Sequence, residues 1–347
     1  MNQPSNVAVA LSGGVDSAMA AVLLKAAGWE VYGLHLVLSD ADPRRGERVS
    51  EIADRIGIPL EILDLRERFE TEVVRPFCHA YRAGLTPNPC VRCNQEIKFD
   101  ALHHYCIENE IRSLATGHYA RHCVEEGRIS LLRGVDRAKD QSYFLQRLGG
   151  TLLSRAIFPL GEMTKEEVRR RARDMALPCH SRPESQEICF ISGMDYREFM
   201  EKRGRASISK KGLIVDEDGT RIGEHEGIYR YTIGQRHGLG IASSRPYYVK
   251  EIRPEVNQVV VARREALFTN TVHAIALNWI QGTPPENGAK MSAQIRYRHK
   301  AAPGRLTVVS SDEVRFIFDM PQWAVTPGQA IALYDGERLI GGGWIER

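Results

Sequence analysis

The sequence predicts an α/β protein in which a domain built on a largely parallel sheet is followed by a small β-containing connector and a C-terminal β-barrel. Up to about residue 200, short β-branched runs alternate with amphipathic helical patterns, which is typical of βα units. From about residue 207, glycine becomes frequent, apolar runs shorten and turn signals such as Asp-Gly at 335–336 recur. We therefore predict three domains, at residues 1–200, 201–260 and 261–347.

The elements of the first domain follow from the periodicity of its apolar residues. Residues 6–11 (NVAVAL) form the continuous apolar run of a buried strand, and residues 15–27 carry apolar side chains at helical spacing until Gly28 ends the pattern. Further strands are predicted at residues 30–38, 59–65 and 111–116, and further helices at residues 50–56 and 166–175.

The composition, with 43% hydrophobic and 26% charged residues among 347, is that of an ordinary globular protein. No stretch approaches the roughly 18 consecutive apolar residues of a membrane span, and residues 1–10 lack the features of a secretory signal. We expect a cytoplasmic protein without a membrane partner. The net charge of +3 is too small to indicate a polyanionic partner by itself. Seven cysteines, an odd number, argue against a disulfide scaffold.

The strongest local motif is Ser-Gly-Gly-Val-Asp-Ser at residues 12–17, where the first strand turns into the first helix. Its paired glycines let the backbone approach an anion, and the helix N-terminus offers unpaired N–H groups. The serine hydroxyls add donors, and the carboxylate of Asp16 suits Mg²⁺. The motif predicts a phosphate site, although a tight βα turn with no ligand is an alternative. Because GxxxxGK[ST] and GxGxxG are both absent, a Walker P-loop and a dinucleotide-binding turn are excluded.

A second motif, Thr-Pro-Asn-Pro-Cys-Val-Arg-Cys-Asn at residues 86–94, opens a predicted helix. Cys93 lies near the predicted N-terminus, with Arg92 and Lys98 as neighbours in sequence. Both features favour the thiolate, which makes Cys93 a candidate nucleophile. The alternatives are a buried structural thiol and half of a zinc site, since Cys-x2-Cys supplies only two ligands. The residues available to complete such a zinc site are His103, His104 and Cys106.

Cys189 lies in a loop at residues 183–190, far from Cys93 in sequence. Open α/β sheets bind ligands at the carboxyl ends of their strands, where both loops can meet beside the phosphate site. Two thiols near a nucleotide indicate sulfur chemistry. The other four cysteines, which are more often small core residues, are Cys78, Cys106, Cys123 and Cys179.

These motifs resemble those of the PP-loop ATP pyrophosphatases, whose SGGxDS turn binds the pyrophosphate of ATP. The full series of motifs is similar to that of the MnmA/TrmU family of tRNA-specific 2-thiouridylases. The series continues with ATGHYAR (115–121), KDQSYFL (139–145), FPLGEMTKEEVR (158–169), SQEICF (185–190), YTIGQRHGLGI (231–241), IRYRH (295–299) and AVTPGQAIALYDGERLIGGGWI (324–345). The resemblance implies a PP-loop adenine nucleotide hydrolase-like fold for the first domain.

The resemblance also implies an activity, cofactors and partners. ATP would adenylate the C2 oxygen of the wobble uridine (U34) of tRNA, and a cysteine persulfide would then supply sulfur as AMP and pyrophosphate leave. Mg²⁺ would accompany ATP, with Asp16 as its ligand. The partners would be a tRNA with U34 and a persulfide sulfur donor protein, and not DNA.

Individual roles carry over from the family to matching positions. Cys189 would hold the persulfide, and Cys93 would be the second catalytic nucleophile. The positions that match ATP contacts are Ala10, Leu11, Ser12, Gly13, Gly14, Val15, Asp16, Ser17, Leu36 and Gly117. The positions that match tRNA contacts are Asn88, Pro89, Cys90, His118, Lys139, Asp140, Gln141, Arg296, Tyr297 and Gln329.

The sequence departs from the family pattern at two places. Some members have Asp where this chain has Cys90, so the role of that Asp does not transfer. Residues 39–51 are shorter than the family stretch and lack its cysteines, which leaves nucleotide contacts there open. An alternative is that Cys90, Cys93 and Cys189 hold a [4Fe-4S] cluster. Two further alternatives are a PP-loop ligase that uses ammonia or an amine, and a non-catalytic RNA-binding or sulfur-carrier protein.

Residues 287–311 contain five Lys or Arg residues and no acidic residue. A strand with Arg296, Arg298 and Lys300 facing outward would lay cations along a phosphate backbone, with Tyr297 on the other face. This stretch therefore predicts an RNA-binding surface, with a merely solvated strand face as the alternative.

Overall fold

The computed structural model describes residues 5–125, 128–182, 188–191, 193–204 and 210–347. Up to residue 204 its elements are β1 (Asn6–Ala10), α1 (Val15–Ala26), β2 (Glu30–Val37), α2 (Arg45–Ile56), β3 (Leu60–Asp64), α3 (Arg66–Phe69), α4 (Arg75–Arg82), α5 (Pro89–Cys93), α6 (Asp100–Glu108), β4 (Ser113–Ala115), β5 (Ala120–Glu125), β6 (Arg128–Arg133), α7 (Gly150–Leu153), β7 (Ala156–Ile157), α8 (Lys165–Asp174) and α9 (Tyr196–Lys202). Beyond residue 210 the strands are β8 (Gly212–Val215), β9 (Arg221–His225), β10 (Tyr248–Arg253), β11 (Gln258–Ala262), β12 (Phe268–Trp279), β13 (Lys290–Gln294), β14 (Ala302–Val308), β15 (Glu313–Trp323), β16 (Ala330–Asp335) and β17 (Arg338–Ile345).

A five-stranded parallel sheet forms the centre of the first part of the chain, with strand order β3-β2-β1-β4-β7. The central strand β1 has no exposed surface at Val7, Ala8 or Val9, as expected for a strand covered on both faces. Helices α1 and α8 share one apolar cluster, while α6 packs with β1 in another. The predicted parallel α/β domain is confirmed.

One long helix carries the second motif. Its two α-helical parts, α5 and α6, are joined by a π-helical turn at Asn94–Phe99. Asn88 caps its start by accepting a hydrogen bond from the Val91 amide, and Pro89 occupies the first helical position, where a missing N–H costs nothing. A π-helical turn at Glu70–Val74 likewise joins α3 to α4.

A four-stranded mixed sheet follows, with order β10-β11-β8-β9. Its apolar face includes Ile214, Val249, Val259 and Val261, all fully buried. Asp216 accepts the amides of Asp218, Gly219 and Thr220, so the turn between β8 and β9 is held by one aspartate.

The C-terminal strands close into a six-stranded barrel of order β12-β15-β14-β13-β16-β17, because β12 also pairs with β17. The hairpin β5–β6 extends this sheet beyond β17, although it belongs to the first part of the chain. A shared apolar cluster contains Leu131 and Tyr143 from the first part and Ala330 and Tyr334 from the barrel. The barrel is therefore packed directly against the α/β domain.

The predicted strand at residues 296–300 is wrong. Strand β13 ends at Gln294, and residues 295–299 form bends and a turn in which the His299 amide donates to the Arg296 carbonyl at 2.9 Å. Arg298 and Lys300 are exposed, whereas Arg296 is half-buried.

None of the helices in the described ranges has both the length and the apolar character that a membrane span requires.

Candidate active site

The Ser-Gly-Gly-Val-Asp-Ser loop connects β1 to α1 at the carboxyl end of the sheet. Gly13 has a φ of +80°, which only glycine adopts without strain, and Gly14 is the extended N-cap of α1. The Ser17 hydroxyl donates to the Gly14 carbonyl at 3.0 Å and accepts the Ser12 amide at 3.1 Å. These bonds hold the loop open around the first-turn amides of α1, which have no acceptor within the helix. The loop at residues 12–17, called the anion loop below, has the geometry expected of an anion site.

The other residues predicted to contact ATP surround this loop. Ala10 and Leu36 lie near the carboxyl ends of β1 and β2 and are partly buried against the main apolar cluster. Leu11 is buried, and its carbonyl contacts Nδ1 of His35 at 2.8 Å. Val15 is buried in the apolar contact between α1 and α8.

The carboxylate of Asp16 is engaged by two side chains from distant elements. Nζ of Lys165, the first residue of α8, lies 2.7 Å from both carboxylate oxygens, and the Tyr119 hydroxyl donates to Oδ1 at 2.8 Å. Lys165 is buried, whereas the Asp16 side chain is one-third exposed. Asp16 can offer an oxygen to Mg²⁺ from its exposed side, but the predicted metal ligand already has a cationic partner.

Gly117 lies directly against the loop. A Cβ at this position would be 2.7 Å from the carbonyl carbon of Asp16 and 2.8 Å from the amide nitrogen of Ser17. Because backbone atoms cannot give way as a flexible side chain does, this close approach requires glycine. The predicted ATP contacts Gly117 and the 12–17 loop are thus adjacent.

Two arginines that the sequence analysis did not identify lie beside the loop. Arg182 donates to the Gly13 carbonyl at 3.2 Å, and the side chain of Arg45, from the start of α2, also approaches Gly13. The guanidinium of Arg182 places positive charge beside the loop, where a phosphate would benefit from it, whereas that of Arg45 is paired with Asp42.

His118 connects the 12–17 loop to the cysteine helix, which is the long helix formed by α5, the π-helical turn and α6. Nδ1 of His118 is 2.8 Å from the Thr116 hydroxyl, and the Asn94 amide nitrogen lies 3.5 Å from Nε2 and donates to the Phe144 carbonyl at 3.1 Å. Burial, together with the charge of Lys98, lowers the pKa of His118 to about 3. His118 is therefore neutral at physiological pH.

Cys93 is buried at the end of α5, one turn inside the helix. Burial raises the pKa of Cys93 to about 12, although the nearby charge of Lys98 acts in the opposite direction. Arg92 points elsewhere, toward the carbonyl and carboxylate of Glu72. The prediction that the surroundings of Cys93 favour the thiolate is therefore wrong, because desolvation outweighs the single cation nearby.

Cys90 and Cys189 are both exposed and lie within electrostatic range of Cys93 and Lys98. Cys90, rather than Cys93, occupies the N-terminal turn of the helix. The structure thus brings together the two thiols that were predicted to meet. Residues 183–187, which precede Cys189, lie outside the described residues.

All seven cysteines are free thiols. Among the residues that the structure describes, no group of three or more His, Cys, Asp or Glu side chains is arranged to hold a metal ion. The zinc and [4Fe-4S] alternatives consequently have no support in the described geometry.

Four of the predicted tRNA contacts gather around Tyr143 and Phe144. Asn88 interacts with the buried Tyr143 hydroxyl, which donates to the Ala330 carbonyl at 2.9 Å. The Tyr297 ring lies 4.4 Å from the Phe144 ring between centroids. The four residues are Asn88, Arg296, Tyr297 and Gln329, and Gln329 donates to the Thr86 carbonyl at 2.9 Å.

The remaining predicted tRNA contacts are divided between internal bonds and the surface. Asp140 is buried and accepts bonds from Arg133, the Gly134 amide and Ser142. Gln141 accepts the Tyr119 amide at 3.0 Å. Both side chains stabilise the local fold, while Lys139 is partly exposed and Pro89 is buried at the start of α5.

Three protein-family models match successive stretches of the chain. They are described as tRNA methyl transferase HUP domain (residues 5–193), tRNA methyl transferase PRC-barrel domain (residues 197–263) and aminomethyltransferase beta-barrel domain (residues 269–345). The chain is 44% identical over 342 residues to a protein of Acidithiobacillus ferrooxidans named tRNA-specific 2-thiouridylase MnmA, with 97% of each chain covered. This chain belongs to the MnmA family.

Other MnmA relatives show the same full-length similarity. A protein of that name from Desulforudis audaxviator is 45% identical over 343 residues, with 98% of each chain covered. The predicted membership in the MnmA/TrmU family is confirmed by these relatives.

A solved 4-thiouridine synthetase–RNA complex with bound ATP is 16% identical, covers 57% of this chain and 50% of that one, and has a TM-score of 0.38.

Proposed function

We propose that this protein catalyses ATP-dependent 2-thiolation of the wobble uridine, U34, in tRNA. The observation that carries the proposal is the convergence of Cys93 and Cys189 around Lys98, beside His118. The neighbouring Gly117 contacts the Asp16–Ser17 backbone, so one dipeptide joins the sulfur site to the anion loop. A fold that holds two thiols beside a phosphate site suits activation by ATP followed by sulfur transfer.

The first step would use the loop to hold ATP. The C2 oxygen of uridine attacks the α-phosphorus, a C2–O–P linkage forms, the bond between the α and β phosphates breaks, and pyrophosphate leaves. The first-turn amides of α1, Lys165 and Arg182, which all lie at the loop, would hold these phosphates. Asp16 would ligate Mg²⁺, which when bound offsets negative charge on the pyrophosphate.

The second step would transfer sulfur in two displacements. The terminal sulfur of a Cys189 persulfide gives its electron pair to C2, and AMP leaves with the electrons of the C2–O bond. The Cys93 thiolate then attacks Sγ of Cys189, and the bond between the two persulfide sulfurs breaks, leaving its electrons on the sulfur of 2-thiouridine. A Cys93–Cys189 disulfide remains, and an external dithiol reduces it before the next cycle.

The tRNA would approach from the side of Phe144 and Tyr297. The backbone carbonyl of Phe144 accepts a hydrogen bond from Asn94 on the helix that contains Cys93, and the Tyr297 ring packs against the Phe144 ring. A base turned out of the single-stranded anticodon loop can stack on such aromatic surfaces. The exposure of Cys189 suits reloading by a persulfide donor protein, and a cytoplasmic location, where tRNA is available, stays a prediction.

The family-model descriptions name methyl transfer, whereas the relatives are named for thiolation. Paired thiols beside an anion loop favour thiolation. Methylation would add a methyl group to the nucleoside, whereas thiolation replaces oxygen by sulfur, so nucleoside mass analysis separates the two.

The test compares Cys93→Ser and Cys189→Ser with wild type and with Cys123→Ser, which removes a partly buried thiol outside the site. We expect each site variant to lose 2-thiouridine formation and Cys123→Ser to retain it. Retained 2-thiouridine in either site variant would contradict the proposed roles of the two thiols. A wild-type protein that releases pyrophosphate with tRNA but makes no 2-thiouridine would favour a ligase that uses an amine. Absence of tRNA-dependent pyrophosphate release in wild type would favour a non-catalytic protein.

A further inference from the structure

The π-helical turn determines which residues share a face with Cys93. In an α-helix with 3.6 residues per turn, residues five apart lie about 140° apart around the axis. Cys93 and Lys98 would then point to different sides. Lys98 instead lies within the π-helical turn Asn94–Phe99, which begins directly after Cys93. The hydrogen bonds of this turn join residues five apart, which places Lys98 above Cys93.

Lys98 also faces the other groups of the sulfur site. Its ammonium interacts electrostatically with Cys90, Cys93 and Cys189, which come from the helix and from a distant loop. His118 faces it from the segment after β4 and is neutral. These four groups are the titratable partners of Lys98 in the part of the chain that the structure describes.

Lys98 differs from the neighbouring cations Lys165 and Arg92 in having no acidic partner among the described residues. Lys165 is paired with Asp16, and Arg92 with Glu72. The electrostatic partners of Lys98 are instead three cysteine sulfurs. A half-buried ammonium that faces thiols and no carboxylate is suited to a sulfur anion.

We propose that Lys98 is a catalytic residue whose ammonium stabilises the anionic sulfurs of the transfer step, on Cys93 and at the end of the Cys189 persulfide. This inference rests on the proposed function and adds a residue to it. Both displacements begin with a sulfur anion, and burial makes the anion of Cys93 unfavourable. Lys98 is the cation that interacts with both cysteines. It forms no covalent bond and keeps its proton throughout.

The first test measures thiol reactivity and needs no tRNA. Alkylation of Cys93 by iodoacetamide in the full chain is followed from pH 7 to pH 10 (about one point per half unit) by mass analysis of the Cys93 peptide. Lys98→Met keeps the aliphatic stem and removes the charge, so we expect alkylation about tenfold slower at neutral pH and a profile displaced to higher pH. Lys98→Arg keeps the charge, so we expect it to keep the wild-type alkylation profile. Lys250→Met, which removes a lysine paired with Glu217 in the connector sheet, is the matched control.

The second test separates this inference from the proposed function. In a single turnover, with the protein in excess over tRNA, we expect Lys98→Met to release pyrophosphate at nearly the wild-type rate while 2-thiouridine formation falls about a hundredfold. Lys98→Gln, measured in the same way, supplies a second neutral variant if Lys98→Met folds poorly. If Lys98→Met and Lys98→Gln keep the wild-type alkylation profile and the wild-type rate of thiolation, the proposed catalytic role of Lys98 is wrong. A wild-type protein that makes no 2-thiouridine but shows the alkylation contrast refutes the proposed function and leaves the Lys98–thiol pairing standing.

Discussion

Nζ of Lys165 lies 2.7 Å from both carboxylate oxygens of Asp16, although the two residues are 149 positions apart in the sequence. The pair joins the first turn of α8 to the anion loop at the start of α1. The Tyr119 hydroxyl bonds to the same carboxylate and limits its rotation. The loop is thus held by a side chain from each of two later segments.

Replacing Lys165 with Met should lower tRNA-dependent pyrophosphate release about a hundredfold, because the phosphates lose a cation and Asp16 loses its partner. The free energy of unfolding should fall by about 1 kcal/mol, since the one-third exposed carboxylate of Asp16 loses a charge-assisted hydrogen bond but keeps the one from Tyr119. Lys202→Met removes an exposed ion pair with Glu198 on α9 and should change neither quantity appreciably. Pyrophosphate release at the wild-type rate in Lys165→Met would contradict a role for the pair.

Gly117→Ala should impair nucleotide binding more than stability. The new Cβ would overlap the Asp16 carbonyl carbon, so the 12–17 loop must shift by several tenths of an ångström. We expect ATP affinity, measured by equilibrium binding, to fall about tenfold or more. Gly149→Ala is the control, because its Cβ would have no atom within 4 Å and its φ is −80°. Unchanged ATP affinity in Gly117→Ala would separate Gly117 from the nucleotide site.

Because the pKa of His118 is lowered in the folded protein, the free energy of unfolding should depend on pH. Its folded-state pKa of about 3 lies below the unfolded value of about 6.5, so the unfolded chain takes up this proton first as pH falls. The corresponding stability is present above pH 6.5 and is lost as pH falls toward 3. Between pH 7 and pH 5, urea unfolding of His118→Asn should therefore lose up to about 2 kcal/mol less than wild type.

The control for His118 is His104→Asn, which removes an exposed histidine of α6 beside Asp100. Its loss of stability between the same two pH values should match that of wild type. If His118→Asn also loses as much as wild type, His118 is not the group responsible for the pH dependence.

The basic segment at residues 295–300 should bind phosphate through its exposed cations even though it is not a strand. Lys300→Ala should weaken tRNA binding and reduce the slope of log affinity against log salt by about one. The exposed Lys202, on a different part of the surface, provides the comparison. A salt slope that Lys300→Ala leaves unchanged would place the tRNA elsewhere.

Local sequence signals were sufficient for the α/β domain. Strand β1 and helix α1 were predicted to within one residue at each end, because an unbroken apolar run and a glycine stop define them. The place of the hairpin β5–β6 in the barrel sheet was not predicted, because β6 pairs with β17, about two hundred residues later, and no local pattern encodes that partner. The turn at 295–299 was mistaken for a strand because alternating charge resembles a solvated strand face.

The candidate site was predicted more fully in its loops than in its electrostatics. The motifs indicated the anion loop and both thiols, since these depend on residue type at short spacing. Burial of Cys93 depends on Phe69, Phe77 and Phe190, which only the fold brings together. The roles of Lys165 and Lys98 likewise depend on a distant contact and on a π-helical turn, and neither feature has a simple sequence signal.

The most direct test of the central claim is mass analysis of nucleosides from tRNA incubated with this protein, ATP, Mg²⁺ and a persulfide donor. The account predicts sulfur in place of the C2 oxygen of the wobble uridine, dependent on ATP and on both Cys93 and Cys189. A wobble uridine that keeps its oxygen, under conditions in which the protein binds ATP and tRNA, would contradict it.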